Sequence, residues 1–184
     1  MIKCILSVVA LLVLSTSLSA QALVLELSPA NGGLNSYAGA TVGWGYTVTN
    51  DSSDWVVLTS SGFSPLPSWG SYEDFFLTNL AKYVQLAPEG SWTESLNALP
   101  HTGIGSFRID PSANPGDTAT GYIAITFDRY DGDPSNGGNY IVPGSALASA
   151  SVTVDAVPEP STFLLLGGGL VGLFWTRRKS LAKV

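Results

Sequence analysis

The segment from residue 128 to 139 holds five carboxylate and amide side chains that could serve as metal ligands. Its candidate ligands are Asp128, Asp131, Asp133, Asn136 and Asn139. Calcium takes six to eight oxygen ligands from carboxylates, amides and carbonyls, so these side chains predict a candidate calcium site. The spacing departs from the EF-hand pattern, and no bidentate glutamate follows. The alternative interpretation is an exposed turn, which uses the same residue types.

The chain has one histidine and one cysteine, which limits the catalytic and metal sites that it could form. His101 is the only histidine, and it would have to be the base of any Ser-His-Asp triad. It lies in a loop with no nucleophile elbow nearby, so we interpret it as an exposed loop histidine. The only cysteine, Cys4, lies near the N-terminus. With one histidine and one such cysteine, a zinc site of three or four ligands is not predicted.

Two further sets of residues have side chains that could act on a sugar or bind one. Paired carboxylates hydrolyse glycosides, and the candidates are Glu73, Asp74, Glu89 and Glu94. Nothing in their spacing selects a pair, so solvated surface acids are the preferred interpretation. Exposed tryptophan faces stack on sugars, and Trp69, in a loop rich in proline, serine and glycine, is the candidate. Core packing is the alternative for this side chain.

Short strands separated by turns must position these side chains. Residues 41–49 alternate with period two, which places Val42, Trp44, Tyr46 and Val48 on one buried face. Further strands are predicted at residues 23–28, 55–60, 82–87, 91–96, 105–110 and 120–129, and residues 140–142 and 146–154 close the domain. Turns are predicted at residues 29–39, 50–53, 88–90, 111–117 and 131–139. Pro65 and Pro67 exclude regular pairing around them, and residues 72–80 have room for a short helical turn.

Seven or eight short strands without helical periodicity predict an all-β fold, a single antiparallel β-sandwich. The segment Gly-Ala-Thr-Val-Gly-Trp-Gly-Tyr-Thr-Val-Thr-Asn at residues 39–50 resembles an early core strand of an immunoglobulin-like module. No Cys-Trp-Cys pattern is present, which excludes an antibody-type domain. We therefore expect residues 23–155 to form one immunoglobulin-like ectodomain.

Charge limits the partners of this ectodomain. Residues 23–155 carry thirteen acidic and three basic side chains, a net charge of −10. Such a surface repels nucleic acid and anionic membranes. No nucleic-acid partner is therefore predicted, whereas cations and neutral sugars are compatible with this charge. The candidate calcium ion is the one cofactor considered.

The first 22 residues have the pattern of a secretory signal peptide. Lys3 supplies the basic region, and residues 5–14 supply a short apolar region. Ala20 and Ala22 form the A-x-A cleavage pattern, which predicts cleavage after Ala22 by the general secretion machinery. Residues 1–22 are therefore assigned to export, and an uncleaved N-terminal anchor is the alternative.

Residues 156–184 have the pattern of a second targeting segment. Two prolines and a glutamate come first, and residues 163–176 carry no charge. As a helix this apolar stretch would be about 21 Å long, against a bilayer core of about 30 Å. It is short for a permanent anchor, so a signal that is later removed and a marginal anchor both remain open. The basic residues after it predict a cytoplasmic end.

The order of these features resembles the PEP-CTERM protein-sorting signal. The matching positions are Val157, Pro158, Glu159, Pro160, Arg177, Arg178 and Lys179, with an apolar, glycine-containing stretch between the two groups. The resemblance implies a Gram-negative bacterial source and processing by an exosortase. It also implies transient contact with the membrane and a destination at the cell surface or in the extracellular matrix. Such tags often accompany exopolysaccharide and biofilm or floc formation.

These observations together predict an exported, surface-sorted and non-enzymatic protein of the extracellular polymer layer. A carbohydrate- or calcium-binding module is the alternative, and an exported hydrolase is the second alternative.

Overall fold

A computed structural model describes residues 23–79, 82–97, 99 and 101–157. Its strands are β1 (Leu23–Ser28), β2 (Gly33–Tyr37), β3 (Thr41–Asn50), β4 (Trp55–Ser64), β5 (Gly70–Asp74), β6 (Gln85–Leu86), β7 (Ser91–Glu94), β8 (Gly105–Ile109), β9 (Thr118–Tyr130) and β10 (Tyr140–Asp155). A one-turn helix, α1, spans Phe75–Thr78, and a 3-10 helix spans Pro134–Asn136. In this described part, no helix has the length and apolar character needed to cross a membrane.

The strands form two sheets packed face to face. The first has the order β1-β3-β8-β5, with β7 also paired to β3, and the second has the order β2-β10-β9-β4-β6. Taking β1, β3, β4, β5, β8, β9 and β10 in chain order as strands A to G, the sheets read A-B-E-D and C-F-G. This is the immunoglobulin constant-type arrangement. The predicted immunoglobulin-like β-sandwich is therefore confirmed.

Strand β3 organises the first sheet. Its whole second half pairs with β1, while β8 and β7 lie end to end along its other edge. Gly43 and Gly45 make room for the chain that leaves β7. A Cβ on Gly43 would lie 2.8 Å from Leu96 Cδ1, and one on Gly45 would lie 3.0 Å from the Glu94 carbonyl oxygen. These glycines let Leu96 cover the outer face of the sheet.

The core lies between the sheets and is rich in aromatic rings. As the alternation predicted, Trp44, Tyr46 and Val48 are buried, with exposed fractions of at most 1%. The Trp44 ring stacks on Phe63 at a centroid distance of 5.8 Å. Its Nε1–H donates to the Gly32 carbonyl oxygen at 2.8 Å, so the indole is both packed and hydrogen-bonded.

Several predicted boundaries are wrong. Residues 33–37, predicted as part of a turn, form β2, which pairs with the end of β10 in parallel, whereas the other pairs of described strands are antiparallel. The strand predicted at residues 82–87 is shortened to two residues, and residues 70–74 form a strand that was not predicted. The segments at 140–142 and 146–154 form one strand, because Pro143 lies where β10 has a free edge. The predicted helical turn is confirmed as α1.

Candidate functional site

The acidic loop after β9 is held by its own carboxylates. Asp131 Oδ1 accepts the backbone N–H of Asn139 at 2.7 Å, and Oδ2 accepts its side-chain amide at 3.0 Å. Asp133 caps the 3-10 helix by accepting the Ser135 N–H at 2.9 Å. The side-chain amides of Asn136 and Gln85 also donate to Asp133, at 2.6 and 2.7 Å. The loop therefore closes on itself and on β6.

These hydrogen bonds shift the pKa values of the loop carboxyl groups. The donors around Asp131 and Asp133 lower the pKa of both carboxyl groups. Asp128 lies in β9, paired with Val57 and Pro143. Within the described residues, no three histidine, cysteine or acidic side chains converge as a metal site would require. Calcium binding by Asp128, Asp131, Asp133, Asn136 and Asn139 stays a prediction.

Trp69 packs against the core and lies beside a polar pocket. Its ring meets Phe107 edge-on at a centroid distance of 5.7 Å, and it is partly buried. The neighbouring pocket, of about 340 Å³, is lined by Ser68, Gly70, Ser71, Arg108, Asp110 and Pro111. Hydrogen bonds from Ser112, and the nearby Arg108, lower the pKa of Asp110. The pocket thus offers an ionised carboxylate, a guanidinium and two hydroxyls.

A buried ion pair at the other end of the core was not predicted. Lys82 Nζ lies 2.5 Å from Glu94 Oε2 and also donates to the Gly103 carbonyl oxygen. The two side chains are 3% and 20% exposed. Nζ lies 4.3 Å from the Phe76 ring centroid and 5.1 Å from that of Tyr46, within cation–π range. Burial lowers the pKa of Lys82, and Glu94 opposes that shift.

A second polar network joins β4 to β5. Asp74 accepts the Ser61 N–H at 2.8 Å and the Ser61 hydroxyl at 2.9 Å, and it caps α1 through the Phe76 N–H at 2.8 Å. Ser61 Oγ also lies 2.8 Å from the Tyr72 hydroxyl. Burial raises the pKa of Tyr72 above its usual value of 10.0. The expectation that Asp74 and Glu94 are solvated surface acids is therefore wrong, because both bind inside the fold.

His101 belongs to neither network among its described contacts. Its Nε2 lies 3.9 Å from Glu73 Oε1, and its ring lies 5.1 Å from that of Phe75. The side chain is 40% exposed, as expected for a loop histidine. Ser61, His101 and Asp74 are residue types of a catalytic triad, but their described contacts do not link them as one. Ser61 contacts Asp74, whereas the His101 side chain contacts Glu73.

The C-terminal targeting segment, residues 156–184, follows β10 directly. Strand β10 ends at Asp155, and Val157, the last described residue, is 63% exposed. Pro158, Glu159, Pro160, Arg177, Arg178 and Lys179 lie outside the described residues, as do Ala20, Ala22 and the predicted signal peptide. The model of the PEP-CTERM protein-sorting motif matches residues 156–179.

The chain carries a PEP-CTERM sorting signal. This motif marks the protein as exported, with a membrane-anchored sorting signal that an exosortase processes. The match covers the tail alone and leaves the ectodomain unassigned. No curated protein matches the chain.

Three solved structures show weak likeness to this chain. The VesB protease of Vibrio cholerae is 17% identical with a TM-score of 0.37, over 73% of this chain and 32% of its own. The C. elegans MSP family member WR4 is 10% identical with a TM-score of 0.29, over 71% and 96%. The PapD-like domain 7 of human CEP192 is 8% identical with a TM-score of 0.29, over 75% and 87%. The chain thus spans about a third of VesB, and nothing about its function rests on these likenesses.

Proposed function

We propose that this exported protein is a non-enzymatic structural or adhesive component of the extracellular polymer layer, in a biofilm or floc. One observation carries the proposal. The side chains best suited to chemistry, Lys82, Glu94, Asp74 and Asp133, are bound in ion pairs or hydrogen bonds, the first three within the fold and Asp133 in the surface loop after β9. Such groups stabilise a sandwich and are not free to transfer protons or hold a substrate.

The charge of the ectodomain supports a polymer environment. At a net charge of −10, residues 23–155 avoid anionic lipid surfaces and nucleic acids. A hydrated exopolysaccharide imposes no such penalty when it is neutral. The sorting signal begins one residue after β10 ends, so the tail would present the sandwich close to the membrane before processing.

Deletion of the gene in the native host tests this role. The deletion strain should retain less exopolysaccharide in the cell pellet, and the wild-type chain should restore it. A chain in which Pro158, Glu159 and Pro160 are all alanine is the matched control, because it keeps the ectodomain and alters the signal. Unchanged polymer retention, or release of new sugar ends by the purified protein, would contradict the proposal.

The pocket beside Trp69 favours a carbohydrate-binding module as the second candidate. Lys82 and Arg129 are paired with Glu94 and Asp54, whereas no described ion pair includes Arg108. A guanidinium beside a carboxylate and two serines suits the hydroxyls of a sugar. Retardation of the protein in gels containing host polymer should be lost in Arg108→Ala and kept in Glu26→Ala. Equal retardation of the two variants would rule out this pocket.

A further inference from the structure

The second sheet has an edge that is only partly covered. Strand β10 pairs with β9 along almost its whole length, from Tyr140 to Thr153. On its other side, β2 covers only the stretch from Ser151 to Asp155. The remaining part of β10 pairs with no strand among the described residues, although β1 lies near Ala148 and Ser149. Its backbone groups on that side therefore lack a hydrogen-bonded partner strand.

The hydrogen-bond pattern shows which groups point outward. The Ser151 N–H donates to the Gly32 carbonyl oxygen at 3.0 Å, on the side away from β9. Alternate residues of an antiparallel strand share this direction, so the N–H and C=O groups of Ser145 and Leu147 also point to the free edge. Pro143 falls in the same alternation, where its missing N–H costs no bond to β9.

The free stretch has defined ends. A Cβ on Gly32 would lie 2.0 Å from the Ser149 carbonyl oxygen, so the chain between β1 and β2 covers the edge there. Pro143, which has no donor, limits pairing at the other end. An incoming strand can therefore bond most fully to the groups of Ser145 and Leu147, which lie on either side of Ala146.

The exposed side chains of this stretch of β10 are uncharged and several are apolar, while Glu26 of β1 lies beside Ala148 and Ser149 at one end. Tyr140, Ile141, Val142 and Leu147 are 55%, 45%, 41% and 53% exposed. Residues 140–154 carry no charge, whereas β1, β5 and β7 carry Glu26, Glu73 and Glu94 on or near their edges. Natural edges are commonly blunted by charged side chains, and this part of β10 has none.

We infer that this edge pairs with the same edge of a second copy of the chain. An antiparallel pair of identical strands has two-fold symmetry, so one patch serves both copies. With the axis at Ala146, Ser145 of each copy lies opposite Leu147 of the other, and their outward groups form four hydrogen bonds. The stretch around Ala146 carries no charge, so two ectodomains of net charge −10 can meet there without like charges on the paired strands.

Crosslinking of the full chain on its host tests the pairing. With Cys4 changed to serine, Leu147→Cys should react with its copy across a short bis-maleimide, since diagonal neighbours in paired strands are about 7–8 Å apart. Leu66→Cys is the matched control, because Leu66 is 54% exposed and Leu147 53%. A product of twice the chain mass should be roughly tenfold more abundant for Leu147→Cys, a preference of about 1.4 kcal/mol.

A charge at the edge provides the second arm. Adding Ser145→Lys to the Leu147→Cys chain should reduce the dimer product severalfold, because two lysines then meet near the axis, while Ser145→Thr should preserve it. Equal crosslinking of the Leu147 and Leu66 variants would overturn the inference. So would a product containing a different protein, or dimer yields that Ser145→Lys leaves unchanged.

Discussion

Two neighbouring parts of the core are built in opposite ways. Trp44 and Tyr46 lie two residues apart on the inner face of β3. Trp44 sits among Phe63, Tyr72 and Phe107, in what we call the Trp44 cluster, whose rings pack at centroid distances of 5.6–6.4 Å. Tyr46 instead faces the ion pair of Lys82 and Glu94, which we call the Lys82 pair.

The difference follows from the strands that cover each part. The Trp44 cluster lies where β3 pairs with β8. Strand β8 pairs in turn with β5, so the sheet is wide at this point. The Lys82 pair lies where β3 meets the four-residue β7. A short edge strand excludes water less completely than a wide sheet, and a charged pair can fill that position when each charge finds a partner. The aliphatic stem of Lys82 can then pack while its ammonium group is bound.

Truncation of Trp44 is expected to have the largest effect. Trp44→Ala removes a fully buried ring and its hydrogen bond to Gly32, which should lower the free energy of unfolding by about 3–5 kcal/mol. Urea unfolding followed by circular dichroism measures the loss. Tyr122→Ala is the control, because Tyr122 is 42% exposed, and it should cost well under about 1 kcal/mol. Similar losses of unfolding free energy in the two variants would mean that the Trp44 cluster does not stabilise the core.

Breaking the Lys82 pair should have the next largest effect. Glu94→Ala leaves the Lys82 ammonium buried with one carbonyl, and should cost about 2–3 kcal/mol, below the usual range for fully buried pairs because Glu94 is partly exposed. Chemical denaturation measures this, with the exposed Glu26→Ala as control.

The double variant Lys82→Met with Glu94→Leu removes both charges of the pair and replaces them with apolar side chains. It should recover most of the stability lost in Glu94→Ala, because no unpaired charge then remains in the core. A double variant as unstable as the single one would show that packing around Lys82, not its charge, sets the cost.

Alkaline pH should destabilise both parts. Burial raises the pKa of Tyr46 and Tyr72, with Glu94 contributing at Tyr46 and Asp74 at Tyr72. Above pH 10 the unfolded chain loses these protons while the folded chain keeps them, so stability falls as pH rises. Lys82 acts oppositely, because its lowered pKa makes the folded chain bind fewer protons in this range.

Two tyrosines outweigh one lysine, so a net loss of roughly 1 kcal/mol per pH unit is expected above pH 10. Denaturant midpoints measured between pH 9 and 11 test this against a Tyr46→Phe, Tyr72→Phe double variant. The double variant should instead hold or gain stability over that range. Identical slopes for the two proteins would refute the tyrosine explanation.

Single hydroxyl deletions sharpen the comparison further. Tyr72 is bonded to Ser61, so Tyr72→Phe should cost about 1 kcal/mol. The Tyr46 hydroxyl is buried without a hydrogen-bond partner among the described residues, so Tyr46→Phe should cost nothing or stabilise slightly. Thermal unfolding of the two variants measures the difference, and a larger loss for Tyr46→Phe would reveal a bond that the described contacts lack.

The contrast also explains what sequence could predict. The alternation through Val42, Trp44, Tyr46 and Val48 identified a core strand, because a period of two depends only on local order. It could not identify β2, since Gly33–Tyr37 lacks apolar alternation and is held by a parallel pairing to a strand more than a hundred residues later. Strand β5 was missed for a similar reason, because its partner β8 follows only after α1, β6 and β7.

The polar networks depend on tertiary contacts in the same way. Lys82 lies in the loop before β6 and Glu94 lies in β7, twelve residues later, and no spacing rule places them together. The one available signal was composition, because a lysine among only three basic residues of residues 23–155 is a candidate for a specific role. The sorting signal was predictable because it acts as a linear motif and needs no fold.

The acidic loop provides the smallest expected effect. The lowered pKa values of Asp131 and Asp133 mean that their hydrogen bonds contribute above the ordinary aspartate pKa of 3.8 and are lost as pH falls through the lower folded values. NMR signals of the Asn139 and Ser135 amides should shift in that acidic range. The Gly32 amide, which donates to the Pro29 carbonyl, is the control and should not shift. Saturable shifts of the two loop amides on adding calcium at neutral pH would show that the ion displaces these donors, and would support the calcium prediction.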